Sequence, residues 1–567
     1  MAEPPSVIVK GRSFDPPGKG PWELESTHGS RPMTRITQAA FLGGFARGFA
    51  EGTAKYGVLL DHMEPAFVHS FLYIQPVAVG APPGAMGPPP KPVLQVVSRI
   101  HPLMRKRHKA AAATFEGKLW RKDLEEWDQV DKPAAIKAHL AIQAEDVGAM
   151  TDAELADHVD RVARHTTESA YLHHKFTMAA CVPVGDFLAG AMAWTGAEAG
   201  TLMGLMRGRS EISRGFAAAE LDAAAKALAT SESAQALLAG GGPAGDVLDE
   251  LGAHPEVGRE VTAYLDTVRW RSVGYDLGDQ VAGELPDVLV ESLRTTLAGS
   301  RSSAPDDAEA LAALRERVPA EHRDDFDDRL AEVRLMYRIR DERAVYSDGW
   351  ATGLARRAML EVGRRLHAAG TLDVAEHAVE LDPAEARALL LGTGGPSAAE
   401  VADRFDWRMS TTTSDVPDHL RALPAGPPPA DWLPAPARRT AQAMNTFLES
   451  LFGVPETPNS ATVLNGLAVN TGVYEGTARL VDGAADFGRI KQGDVLVTRM
   501  TSPYFNVVLP MLGAIVTDRG GQLCHAAIVA REYGIPGIVG TRDATSTIPD
   551  GARVRVDGST GEVRLLE

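Results

Sequence analysis

The 567-residue chain has very little cysteine: Cys181 and Cys524 are its only two. Two thiols so far apart in a long chain do not make a disulfide framework, so a reducing, cytoplasmic setting is expected. Basic residues are not in excess either. Against 58 Lys and Arg stand 75 Asp and Glu, a net charge of -17. Without clustered cations the chain is not suited to tracking a phosphate backbone, and no nucleic-acid partner is expected. Long apolar runs are also missing. No uninterrupted stretch reaches the ~18 apolar residues that span a bilayer. The start, MAEPPSVIVKGRSFDPPGKG, has no apolar signal-peptide core. The most apolar region, Met178 to Met206, is broken by Pro183, Asp186 and Glu198 and reads as a buried helix pair. No membrane partner follows from it. No P-loop-type phosphate loop and no metal-ligand spacing stand out, so a metal site is not expected on this chain.

What is present falls into regions of different character. A chain this long exceeds one core, so a multidomain architecture is expected. Residues 1–20 read as a loose arm. Residues 21–420 read as a large, mainly α-helical domain. Within it, Thr151-Asp-Ala-Glu154 is a capping box ahead of a helically spaced apolar run. Ser210 to Ala229 and Arg323 to His367 show the same period, and Gly370 closes the latter. Pro76 to Pro92 reads as a Pro/Gly surface loop, and Gly299 to Asp307 as a polar connection. Residues 421–458 hold LPAGPPPADWLPAP, a semi-rigid polyproline spacer, and a short helix from Arg438 to Phe452. Residues 459–567 change to short β-rich runs bounded by Gly and Asp, with one helix from His525 to Tyr533. They read as a small α/β domain.

The stretch from Thr517 to Pro536 carries the chemistry. A strand enters a tight turn at Gly520-Gly521, and His525 opens the following helix. Free N–H groups and the helix dipole there favour an anion and disfavour the imidazolium. Glycines let a phosphate approach the backbone without Cβ clashes. A neutral histidine in that place can attack phosphorus and hold the group as an N–P bond. By position alone, a histidine at a helix start is most often a cap or a surface residue.

The length of the motif separates the two readings. GGQLCHAAIVAREYGIPGIVGT, preceded by GVYEGTARLV and GDVLVTRMTSPYFNVVLPMLGAIVTD, closely resembles the phosphohistidine, or swivelling, domain of the phosphoenolpyruvate-utilising enzyme family. The resemblance implies that His525 carries a phosphoryl group, with Gly520, Gly521 and Cys524 around the phosphate. Family members often have Thr-Ser or Thr-Cys before the histidine. Here the pair is Leu523-Cys524, so a hydroxyl that orients the ring is missing. Cys524 reads as a small helix-start residue rather than a nucleophile.

The region from 21 to 400 more diffusely resembles the helical substrate domain of the rifampin phosphotransferase and phenylphosphate synthase branches. The pieces are Trp22 to His28 with Arg31-Pro-Met-Thr34, Gly204 to Glu211, Arg271 to Asp276, and Tyr337 to Arg343. Such enzymes take the phosphoryl group from ATP through an ATP-grasp domain, for which the residues before Trp22 are too few. The resemblance therefore implies a separate ATP-grasp subunit that brings ATP and Mg. The acceptor is expected to be a small-molecule hydroxyl or enol.

Transfer to an acceptor needs a cation against the phosphoryl oxygens and a base for the acceptor's proton. Arg340 and Arg343, three residues apart, share a helix face, and Arg340-Asp341 resembles the phosphate-stabilising Arg-acid motif of the rifampin branch. Candidate bases are His173, His174 and His28. Adjacent helical histidines point different ways, so at most one of the pair is expected to face a site. Asp276 is expected to cap a helix. The alternative to an enzyme subunit is a phosphocarrier or regulatory interaction protein with no small-molecule substrate of its own.

Overall fold

The computed structural model describes residues 7–26, 29–82, 84–209, 217–298, 308–421, 426–453, 457–501, 505 and 508–566. It is a large, mainly helical region followed by an α/β region. Thirteen strands occur among the described residues. A hairpin pairs β1 (Val7–Val9) with β2 (Arg12–Phe14). A three-stranded antiparallel sheet follows the order β3-β5-β4, from Glu23–Leu24, Leu60–Val68 and Phe71–Ala78. The eight-stranded sheet draws all its strands from beyond the Pro-rich segment. These are β6 (Val463–Asn465), β7 (Leu467–Asn470), β8 (Val473–Leu480), β9 (Asp494–Thr498), β10 (Leu512–Thr517), β11 (Gly537–Val539), β12 (Arg553–Asp557) and β13 (Glu562–Leu565).

The chain forms two compact units, interleaved along the sequence. The first comprises residues 1–182, 275–279 and 343–442; the second comprises 183–274, 280–342 and 443–567. In the first unit the capping box is as predicted: Thr151 and Glu154 cap helix Asp152–Lys175 reciprocally. Its core joins Leu155, Val159 and Val162 to Ala355, Met359 and Val362 of helix Asp348–Ala368. The stretch Asp152–Thr195 is long and apolar enough by composition to cross a membrane, but 83% of its most apolar window is buried in the protein. Structurally it is two helices, Asp152–Lys175 and Thr177–Thr195.

In the second unit, β8, β9, β10 and β11 run parallel, and β6, β7, β12 and β13 pair antiparallel at the flanks. Parallel strands covered on both faces need apolar residues throughout. Accordingly β9 is buried at every position. Its core gathers Val495, Val497, Ala514 and Val516, each fully buried valine worth roughly 1.5–3 kcal/mol.

Several predicted features differ in detail. Residues 7–14 are not a loose arm: Phe14 is buried with Trp22, Phe71 and Trp407, which draws the hairpin onto the first unit. The Pro/Gly loop is shorter than predicted, because β5 runs to Ala78 and helix Lys91–Ile100 begins before Pro92. The Arg323–His367 stretch is three helices, Arg323–Met336, Ile339–Val345 and Asp348–Ala368. The predicted helix from Ser210 begins at Ala218 among the described residues. Gly299 to Asp307 lies outside the described residues. The Pro-rich segment is packed at its end rather than extended as a spacer. Leu433 and Ala437 are buried with Val79, Leu94 and Met104, and the helix that follows starts at Ala435.

Candidate functional site

Strands β9 and β10 lie side by side in register, Thr498 beside Thr517. Loops leaving the C-terminal ends of parallel strands are where such sheets gather binding groups. One loop carries Thr501. The other runs through Gly520-Gly521 to Cys524, whose extended backbone (φ -67°, ψ 162°) sets the cap of helix His525–Tyr533. His525 is therefore the first helical residue, as the sequence predicts.

The two glycines are required by the turn itself. Gly520 has φ +107°, in the left-handed region, and a Cβ there would meet the Cys524 sulfur at 2.7 Å. A Cβ on Gly521 would meet the Ser450 carbonyl oxygen at 2.4 Å. The Gly521 N–H donates to the Leu451 carbonyl (2.7 Å) and the Leu523 N–H to the Ser450 carbonyl (3.0 Å). The space a side chain would take at Gly521 is thus filled by the end of helix Ala435–Phe452, where the sequence reading had placed an approaching phosphate.

His525 is buried, and its Nδ1 lies 3.0 Å from the Thr501 hydroxyl. Burial pushes its pKa down from 6.5 to about 3, with the charge of Arg340 acting in the same direction. The ring is neutral at physiological pH. Leu523 is fully buried; the hydroxyl on the ring comes from Thr501 instead. Burial pushes the Cys524 thiol up, opposed by the Ala527 N–H and the Arg340 charge. A protonated thiol is a poor nucleophile, so Cys524 serves the helix start.

Three arginines lie between Tyr337 and Arg343 and take different paths. Arg338 pairs with Glu342 at 2.8 Å. Arg343 donates to the His173 carbonyl (3.0 Å) and the Thr177 hydroxyl (2.7 Å). Arg343 was expected to bind phosphate; its Nη1 is engaged by these two oxygens. Arg340 is half-buried, and among the described residues its side chain has neither an ion pair nor a hydrogen bond. Its charge acts on His525, Cys524, Tyr337 and Arg531. Arg531, itself buried, donates to the Gln522 carbonyl (2.9 Å) and side-chain oxygen (2.6 Å). The surroundings of His525 are therefore dry and cationic, a setting that favours an anion.

The other predicted residues lie in the first unit, except His28, which is outside the described residues. His173 and His174 are both buried, and their rings stack, 4.4 Å apart and 13° from parallel. This corrects the expectation that adjacent histidines diverge. They occupy the last turn of helix Asp152–Lys175, and Phe176 beyond it leaves helical geometry. His173 Nδ1 is 2.8 Å from Asp348. Asp276 accepts from the Thr34 N–H (2.8 Å) and hydroxyl (3.0 Å), at the start of helix Arg35–Ala40. Two of the resembling pieces thus meet in space.

Thr501, Gln522, Arg531 and Asp348 were missed by sequence reasoning. Thr501 was within reach of it, because the resembling block GDVLVTRMTSPYF places a hydroxyl just past a parallel strand. Asp348 is 175 residues from His173, and no local pattern joins them.

The α/β region thus places a neutral histidine at the start of a helix, under the charge of Arg340. Residues 490–561 match the family described as PEP-utilising enzyme, mobile domain. The chain is 31% identical over 341 residues to a rifampicin phosphotransferase of Streptomyces sp, covering 56% of this chain and 36% of the relative. It is 26% identical over 318 residues to the uncharacterized phosphotransferase YvkC of Bacillus subtilis, covering 54% and 36%. A phosphoenolpyruvate synthase of Aeropyrum pernix is 47% identical over 109 residues, 19% of this chain and 13% of the relative. The chain thus spans little more than a third of the two phosphotransferases it matches.

Proposed function

We propose that this chain is the substrate-binding and phosphohistidine-carrying part of an ATP-dependent, dikinase-type phosphotransferase. The observation that supports it most is His525: a buried, neutral imidazole at a helix start, beside a guanidinium that has no carboxylate partner among the described residues. ATP and Mg belong to a separate ATP-grasp subunit in this reading. Thr501 occupies Nδ1, so Nε2 attacks the phosphorus. The P–O bond to the donor breaks, and the phosphoryl group rests on the ring. Arg340 faces the charge of the transferred group. In the second step an acceptor oxygen attacks the phosphorus, and the N–P bond breaks back to the ring.

Phosphoramidate, a small chemical donor that needs no partner, tests the carrier. The chain is expected to gain one acid-labile, base-stable phosphoryl group. Protonation turns the ring into a good leaving group, whereas serine and threonine esters survive acid. His525→Ala is expected to abolish the label. ATP and Mg alone should leave the chain unlabelled. Acid-stable phosphate, or label surviving in His525→Ala, would overturn the carrier. Label from ATP without a partner would remove the need for the second subunit.

A further inference from the structure

The stretch from Lys91 to Lys109 stands apart in charge. It holds six cations, Lys91, Arg99, Arg105, Lys106, Arg107 and Lys109, and no acid, in a chain whose net charge is -17. Two of the six are paired, Lys91 with Asp431 (3.0 Å) and Arg107 with Asp61 (3.1 Å). The side chains of Arg99, Arg105, Lys106 and Lys109 are exposed and make no ion pair or hydrogen bond among the described residues. Cations left without carboxylates in an acidic protein are complementary to an anionic surface outside it.

The same stretch exposes an apolar ridge. Helix Lys91–Ile100 rests on the first unit through Leu94, which is buried with Val79, Met104, Leu433 and Ala437. Val93, Val96 and Ile100 recur at i, i+3 and i+7, so they form one stripe along the helix. They are 49%, 55% and 68% exposed, which turns the stripe away from that core. Leu103, 53% exposed, follows past the cap at His101. In helix Pro102–Glu116, Met104, Arg107, His108 and Ala111 are buried, which leaves Arg105, Lys106 and Lys109 on the outer side. Single exposed apolar side chains are ordinary, but several on one ridge beside unpaired cations mark a surface that something covers.

We infer that this face of the first unit is a docking surface for an anionic lipid bilayer, bound reversibly at the level of its headgroups. An apolar stripe flanked by Lys and Arg is the arrangement of helices that lie in a membrane interface, and clusters of such cations hold anionic headgroups. The contact needs no membrane span, since only the side chains of the stripe enter the acyl boundary. The ridge is convex, and its side chains carry no hydrogen-bonding group. A fluid surface that shapes itself around such a ridge fits it better than a rigid groove does. Single-stranded nucleic acid is a poorer match, because the stretch from Met86 to Lys109 holds no Phe, Trp or Tyr on which bases stack.

Co-sedimentation of the full chain with vesicles tests the surface. Vesicles of phosphatidylcholine and phosphatidylglycerol in equal parts repel a chain of net charge -17 unless a local patch binds them. Wild type is expected to bind them, to bind pure phosphatidylcholine more weakly by roughly tenfold or more, and to be released as salt rises. Each cation near an anionic surface strengthens binding roughly fivefold, so Arg105→Ala with Lys106→Ala and Lys109→Ala should weaken it by about 10²-fold. Val96→Ser with Ile100→Ser should weaken it by roughly tenfold or more, through the lost apolar groups. Lys226→Ala with Arg259→Ala and Arg564→Ala removes as many exposed cations elsewhere and should change binding by less than about twofold. Failure of wild type to bind the anionic vesicles, or an equal loss in this control, would overturn the docking surface. So would a Val96→Ser, Ile100→Ser variant that binds as wild type does. If wild type instead shows a concentration-dependent mass that the same variant abolishes, and no vesicle binding, a second copy covers the ridge and the lipid assignment falls.

Discussion

His525 and His173 are both buried histidines, each with Nδ1 held, yet opposite partners hold them. Thr501, a neutral hydroxyl, holds His525, and the charge beside it is the cation Arg340. A carboxylate, Asp348, holds His173. The first setting empties the ring of protons and favours an incoming anion. The second fixes the ring against a carboxylate. At His525 burial is the larger cause of the neutral ring, and the charge of Arg340 adds to it.

The comparison is broken most severely at Arg340. In Arg340→Ala, charging of His525 by phosphoramidate is expected to persist, because burial is the larger cause of the neutral ring. Discharge to an acceptor should slow by roughly 10²–10³-fold, as when one charge-stabilising donor is removed. The His525 pKa, followed by NMR, should rise from about 3 but stay below 6.5. The stability of the fold should change with it. Because the folded pKa lies below the unfolded value, the unfolded chain binds the proton first. The stabilising contribution is complete above pH 6.5 and is lost as pH falls toward 3. Arg340→Ala should narrow that window, seen as a shallower acid slope in urea midpoints. An unmoved His525 titration would show that the guanidinium does not act on the ring.

Thr501→Val sharpens the same comparison from the other side. It keeps the shape and removes the hydroxyl from Nδ1. Losing one hydrogen bond of about 1 kcal/mol corresponds to charging slower by roughly tenfold or less. Nitrogen NMR should show both tautomers of His525 where wild type shows one. A single tautomer in the variant would mean that another group sets the ring.

How far the sequence could be read follows the same division. The helix His525–Tyr533 and its histidine were legible because turn glycines, cap and apolar period all lie within one short stretch. The capping box at Thr151 was legible for the same reason. What failed depended on distant partners. Phe14 reads as part of an arm until Trp407 is brought beside it. Leu433 reads as spacer until Val79 and Met104 bury it. β4 and β5 were lost inside a region that otherwise has helical period, and β4 is half-buried at nearly every position, so it shows no clean alternation. Arg340 and Arg343 look equivalent in sequence, yet Arg343 is held by the carbonyl of His173, 170 residues away.

The smallest effect is expected at Leu523, the position where related motifs often carry a threonine. If the hydroxyl there were needed to hold the ring, Leu523→Thr should improve charging. The structure argues otherwise. Leu523 is fully buried, its N–H is committed to the Ser450 carbonyl, and the His525 ring already meets the Thr501 hydroxyl. Leu523→Thr is therefore expected to change the charging rate by less than about twofold, within the scatter of a single weak contact. It should also lower stability by roughly 1–3 kcal/mol, because it removes buried methyl groups and introduces a hydroxyl into their place. The double variant Leu523→Thr with Thr501→Val decides which hydroxyl matters. If Leu523→Thr restores the charging lost in Thr501→Val, the two positions are interchangeable supports of one ring. If it does not, the orientation of His525 depends on the loop after β9 alone.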